Sequence, residues 1–373
     1  MCAPRAVLVL AAFQMAVGLR AQSPPAEDLA GLLAPIRERH EVPALGAAVL
    51  VDGELRALGV TGIRRIGHDE PVTADDLWHL GSCTKAMTAT LLARQVEAGR
   101  LAWTTTVADA LPDLAAKMHG DARPITLAQL LQHRAGLPGQ PPDALWRELF
   151  RYAGTDQEAR TEVAAALLGV APEAAPGTRF LYSNASYMIA GAIAERVGGQ
   201  PWDGLLRAQL FAPLGMDRVG FGPPGSRAAT EQPWGHRPGG KSAVPVFADN
   251  PPSLGPAGTV HASLRDWAKF AALHLGVVPE VDGAPLLRAE TLAALHAPPD
   301  GGDYAFGWRV CRRPWARGPI LTHAGSNTMW YCVAWLAPGA KFGVLVTCNQ
   351  GEAGAACDAV AAACIERFRP AAK

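Results

Sequence analysis

Lysine is scarce in this 373-residue chain: six lysines stand against 28 arginines, and together they balance 34 acidic residues to a formal net charge of zero. With no basic excess and no block of like charge, the composition argues against a nucleic-acid partner and against a charged interaction tail. Charged residues make up only 18% and hydrophobic residues 49%. That suffices for one large core or two intimate subdomains with a small-molecule or peptide substrate as partner, the oligomeric state being left open. Cys-x-x-Cys spacings and clustered histidines are missing too, so neither a metal site nor another cofactor is expected.

The apolar run Ala6 to Gly18 is too short for a comfortable membrane span. Arg5 precedes it, and Ala21 stands before the polar stretch Gln22-Ser23-Pro24-Pro25. This is the layout of a secretory signal peptide over 1–21, and it predicts a secreted or periplasmic protein with no membrane span after cleavage, the alternative being a buried helix. The mature chain, 22–373, then carries six cysteines: Cys83, Cys311, Cys332, Cys348, Cys357 and Cys364. Strands at Tyr331 to Leu336 and Phe342 to Cys348, folded about Pro338-Gly339, put Cys332 opposite Cys348, as a disulfide or as two separately buried thiols. Cys83 reads as a small packing residue.

Against that scarcity, one lysine sits in a telling place. Leu80-Gly81-Ser82-Cys83-Thr84-Lys85 contains Ser-x-x-Lys and runs into Ala86 to Ala98, rich in helix formers and closed by Gly99. With nine serines and six lysines, random placement yields about 0.15 such spacings per chain. A helix starting at Ser82 puts its hydroxyl and the Lys85 amine one turn apart on one face. A buried amine can lose its proton near neutral pH, whereas guanidinium cannot, so the position suits a base that arginine cannot replace. Taken alone, the spacing favours the plainer reading, with Ser82 a helix cap and Lys85 a solvated first-turn side chain.

The rest of the chain supplies the frame. Glu27 to His40 shows helical spacing, and Ala44 to Val51 with Glu54 to Thr61 flank the hairpin signal Asp52-Gly53. The chain then reads as helical and loop-rich to about residue 300. Strand patterns return at Tyr304 to Cys311, Ile320 to Thr322, Tyr331 to Leu336 and Phe342 to Cys348, before a helical Glu352 to Phe368. This pattern predicts an α+β fold: one antiparallel sheet built from N- and C-terminal segments (about 27–80 and 301–373), flanked by helices, with a mainly helical insertion (about 81–300). Ser82 would lie at the junction, where a cleft is expected.

Two further stretches carry chemistry. Tyr182-Ser183-Asn184 precedes a helical run from Ala185 to Val197, which puts the phenol on a loop ahead of a capped helix. Tyr182 suits proton transfer if Lys85 lowers its pKa; otherwise it packs and Asn184 caps. His323-Ala324-Gly325-Ser326 closes a short strand, where small residues let a substrate run along the backbone and the Ser326 amide point into the cleft. His323 also fits as a simple surface histidine.

In this order the three stretches resemble the serine β-lactamase and penicillin-binding superfamily, in its class C-like branch of β-lactamases, D,D-peptidases, D-aminopeptidases and esterases. Tyr182-Ser183-Asn184 matches that branch's Tyr-x-Asn, and His323-Ala324-Gly325 its Lys/His-Thr-Gly element. Leu130-Leu131-Gln132-His133-Arg134-Ala135-Gly136-Leu137, Pro213-Leu214-Gly215-Met216 and Phe306-Gly307-Trp308 are similar to family phrases. The resemblance implies a β-lactamase/transpeptidase-like fold and an acyl-enzyme on Ser82, with Lys85 and Tyr182 sharing proton work. It also implies that Asn184 orients the acyl side chain, that His323 binds substrate or polarises Tyr182, and that the Ser82 and Ser326 amides form an oxyanion hole. Gln140 resembles a substrate-contacting glutamine. Histidine at 323 shifts the expectation toward peptidase- or esterase-like members, and Met329-Trp330, where the family often has Gly before an aromatic, toward a narrowed or aromatic-walled cleft. The alternative from another class is a non-catalytic or slowly acylating protein that binds peptidoglycan fragments or a partner.

Overall fold

The computed structural model describes residues 26–239 and 242–370. The signal-peptide expectation for 1–21 lies outside them. Seven strands form the main sheet: β1 (Glu27–Asp28), β2 (Ala44–Val51), β3 (Glu54–Gly62), β7 (Arg309–Arg312), β8 (Pro319–Ser326), β9 (Tyr331–Ala337) and β10 (Phe342–Cys348). Their order is β1-β3-β2-β10-β9-β8-β7, antiparallel except for the β1–β3 pair. The first and last parts of the chain meet where β2 pairs with β10. The expected hairpin turns at Asp52 and Gly53, both in the left-handed region (φ 55° and 78°).

Strand alternation assigns the sheet two cores. Leu45, Ala47 and Val49 of β2 and Phe342, Val344, Val346 and Cys348 of β10 pack under α1 (Ala30–Arg39) and α6 (Gly354–Phe368). Ala48, Leu50 and Leu345 face the other way, into a larger core built on α2 (Thr84–Glu97), α3 (Asp156–Leu168), α4 (Asn184–Gly198) and α5 (Leu264–His274). With both faces covered, β10 is buried along its whole length.

The middle of the chain is not all helix and loop. A second sheet joins β4 (Leu77–His79), β5 (Val219–Phe221) and β6 (Val260–Ser263) in the order β4-β6-β5. Strands of three or four residues carry too little alternation to be read from sequence. This sheet nevertheless leads into Ser82: the Leu80 amide donates to the Val260 carbonyl at 2.8 Å, and the chain then enters a 3-10 turn, Gly81–Cys83, before α2.

The expected Cys332–Cys348 pairing is overturned. Tyr331 pairs with Cys348 and Cys332 with Thr347, one residue out of the predicted register, because the β9–β10 connection closes through a 3-10 turn at Pro338–Ala340 with Lys341 at φ 45°. A one-residue slip reverses the faces. Cys348 enters the core under α1 and α6, whereas the Cys332 Sγ lies 3.5 Å from Cys83 Sγ, and all six described cysteines are free thiols.

Candidate active site

Three elements converge on Ser82. The turn before α2 brings its Oγ to 3.0 Å from Lys85 Nζ. Lys85 is fully buried, and its Nζ also donates to Asn184 Oδ1 and to the Ala257 carbonyl, each at 2.7 Å. Burial lowers this amine from the usual lysine range to about 7, with Cys83 acting in the opposite sense. A neutral amine has two N–H donors and one lone pair. Asn184 and Ala257 use both donors, so the lone pair is left facing the Ser82 hydroxyl.

Tyr182 arrives from the loop ahead of α4. Ser183 caps that helix by accepting from the Ser186 amide (3.0 Å), and its own hydroxyl donates to the Pro138 carbonyl (2.6 Å). The Asn184 amide donates to the Gly139 carbonyl, so the loop over 138–140 braces both flanks of the motif. The Lys85 Nζ lies 4.9 Å from the Tyr182 ring centre, and the Ser82 hydroxyl is close enough to the phenol to act on its pKa. The expectation that Lys85 lowers the phenol's pKa does not hold. Desolvation raises it, although the residue keeps 39% of its surface exposed, and the neighbouring Ser82 hydroxyl opposes that by lowering it. Tyr182 is therefore a protonated phenol at rest.

The third element is β8. Beyond Thr322 it has left its partner β7, so His323 to Ser326 offer an open edge next to Ser82. Gly81 sits at φ +46°, and a β-carbon there would come within 2.4 Å of the Ser326 amide nitrogen; one on Gly325 would come within 2.0 Å of the Leu80 carbonyl. Both positions admit only glycine, and that is what seats the two amide-bearing segments against each other.

His323 is placed beside the trio without bonding to Tyr182. Its Nδ1 donates to the Ala324 carbonyl (2.6 Å), which leaves Nε2 to accept from the Tyr304 hydroxyl at 2.9 Å. Gln140 is exposed and makes no hydrogen bond among the described residues. Met329 and Trp330 do not wall the cleft: both are buried, and Trp330 packs edge-on against Trp78 at 6.2 Å.

Several contributors went unread in the sequence. His133 accepts the Ser183 amide on Nδ1 (3.1 Å) and lies 4.3 Å from the Tyr182 ring centre, kept neutral by burial that lowers its pKa well below the ordinary value. Tyr304 stands two residues before the Phe306-Gly307-Trp308 phrase, and the phrases holding or adjoining these residues were the available signal. The Ala257 carbonyl had none, since a backbone atom leaves no mark in side-chain chemistry. A cavity of about 420 Å³ opens beside the trio, lined by Tyr182, Tyr304, His323 and Ala324 and, farther out, by Arg309 and Arg313.

Comparison with known proteins shows the family and the fold. The family described as Beta-lactamase matches residues 29–364. Penicillin-binding protein 4 of Amycolatopsis lactamdurans is 30% identical over 341 residues, covering 85% of this chain and 84% of that protein. The unguisins hydrolase ungD' of Aspergillus campestris (strain IBT 28561) is 26% identical over 339 residues, 87% of this chain but 61% of its own length. Among solved structures, a beta-lactamase/D-alanine carboxypeptidase from Pseudomonas syringae superposes with a TM-score of 0.75 at 20% identity, covering 92% of this chain and 99% of that one. No helix among the described residues is long and apolar enough to cross a membrane.

Proposed function

The chain belongs to the beta-lactamase family of serine hydrolases, and from that premise we propose that it is exported and cleaves an ester or amide through an acyl-enzyme on Ser82. The observation that carries this is the Lys85 amine, buried, with two of its three positions committed to Asn184 and Ala257 and the third aimed at Ser82 Oγ. Neutral Lys85 takes the Ser82 proton as Oγ attacks the substrate carbonyl carbon. The oxyanion is held by the Ser82 and Ser326 amides, each donor being worth roughly 3–4 kcal/mol in such sites. Tyr182 passes its proton to the leaving nitrogen or oxygen and regains one from protonated Lys85, which restores the neutral amine. For deacylation the same relay runs in reverse, with water as the nucleophile and Ser82 as the leaving group.

Asn184, through Lys85, and His323, through Tyr304, support the trio, and the open edge of β8 accepts the substrate backbone. The cavity beside Tyr182 and His323 has room for the group beyond the scissile bond. Ala324 lacks the hydroxyl of Lys-Thr-Gly, which favours esters and peptides over efficient β-lactam turnover. Export rests on the pattern of Arg5, the run Ala6 to Gly18 and Ala21.

The test is turnover of p-nitrophenyl esters and acyl-D-alanyl-D-alanine peptides, with mass spectrometry of a fluorescent penicillin adduct. Wild type is expected to form one adduct on Ser82, and Ser82→Ala to lose at least about 10³-fold in kcat/KM. Equal slow hydrolysis by both proteins would leave only a binder of peptidoglycan fragments or of a partner.

A further inference from the structure

Behind the nucleophile lies a second buried polar cluster that takes no part in the proton relay. The His79 Nε2 is 2.6 Å from Asp249 Oδ2, with both side chains almost fully buried. The His79 Nδ1 accepts from the Gly81 amide at 3.1 Å. An imidazole that accepts on Nδ1 must carry its proton on Nε2, so the carboxylate fixes the tautomer that Gly81 requires. The other carboxylate oxygen, Oδ1, accepts from the Asn250 amide (2.7 Å) and from Asn327 Nδ2 (2.9 Å). Asn327 is itself buried, and its Oδ1 accepts the amides of Met329 (3.2 Å) and Trp330 (3.1 Å).

One carboxylate thus grips two segments. Through His79 it holds the amide of Gly81, the residue before Ser82. Through Asn327 it holds the residue after Ser326. Those neighbours, Ser82 and Ser326, are the two amides the proposed mechanism assigns to the oxyanion hole, and the segments touch where Gly81 meets the Ser326 nitrogen. We propose that Asp249 is a positioning residue that sets the spacing of the two oxyanion donors through His79 and Asn327. The inference rests on the acyl-enzyme reading above.

Asp249→Asn tests it at nearly constant shape. The amide oxygen still receives Asn327 and Asn250, but an NH2 donor now faces His79 Nε2. The imidazole must accept there and shift its proton to Nδ1, where it opposes the Gly81 N–H. A wrong tautomer behind intact geometry is strongly damaging in serine proteases, and displacing rather than deleting a donor corresponds to a loss of about 10–100-fold. For p-nitrophenyl acetate that loss is expected in kcat, with KM within about twofold, because the donors act on the transition state. The Ki for phenylboronic acid, whose tetrahedral adduct on Ser82 places an oxygen between the same donors, is expected to rise by the same factor. Adding His79→Asn, whose amide oxygen can replace Nδ1 as the Gly81 acceptor, is expected to recover part of both losses. Asn327→Ala severs the strand side alone; its expected parallel loss in kcat and boronate affinity covers the case in which Asp249→Asn fails to fold. Unchanged kcat in Asp249→Asn, or a fall in kcat with boronate affinity intact, overturns the positioning role while leaving the acyl-enzyme reading standing. A wild type that binds boronate no better than Ser82→Ala overturns both.

Discussion

The two faces of the main sheet bury very different chemistry. Under α1 and α6 the core is almost entirely apolar, with Phe342, Val344, Val346 and the thiols of Cys348, Cys357 and Cys364. The opposite side buries Lys85, His133, the His79–Asp249 pair, the Arg160–Glu195 ion pair linking α3 to α4, and His274 beside His296. Buried polar groups are costly unless every partner is in place. Their concentration on one side shows where the fold gives up stability for arrangement, and the apolar side supplies the rigid backing that tolerates it.

The sharpest way to break this comparison is one substitution on each side. Lys85→Arg keeps a cation that cannot be deprotonated near neutral pH, and kcat/KM is expected to fall by at least about 10³-fold. Phe342→Ala on the apolar side is expected to cost about 3–5 kcal/mol of stability, read by denaturant melts, with activity per folded molecule unchanged. Substantial turnover by Lys85→Arg, or a kcat defect in Phe342→Ala, would erase the division.

A smaller effect follows from acid. Burial lowers His236, His261 and His296 to about 4, and His274 well below its ordinary value. These imidazoles stay neutral in the fold while the unfolded chain binds protons below about pH 6.5. Their share of stability is therefore full above that pH and declines as pH falls toward about 4. The apolar side adds nothing to this slope, since its Cys348 and Cys364 thiols are pushed up to about 12. Denaturant midpoints between pH 8 and 4 check the sign, and a flat profile would contradict it. Smallest is Gln140→Ala: an exposed residue with no hydrogen bond among the described residues is expected to alter KM by less than about threefold, measured on the ester panel.

What was legible in the sequence had local causes. The Asp52-Gly53 hairpin is written in two adjacent residues, and Ser82 with Lys85 in one helical turn. Ser183 caps α4 as its position ahead of the helical run allows. What was not legible is set at a distance. The slip that takes Cys332 away from Cys348 depends on the geometry of one connection, the rings around Tyr182 (His133, Tyr304 and His323) come from elements far apart in sequence, and Asp249 meets His79 across 170 residues. The Ala257 carbonyl completes the Lys85 site without any side chain to announce it. Gly325, expected to let a substrate run along the backbone, and Gly81 set the contact between the Ser82 turn and β8.

The account stands on an uncharged Lys85 next to Ser82. Nitrogen-15 NMR of lysine-labelled protein measures this directly, because there are only six lysines and Lys85→Arg identifies the signal. The expected result is one Nζ resonance titrating near 7, coincident with the acid limb of kcat/KM. A Lys85 resonance that remains protonated through pH 9 would contradict it.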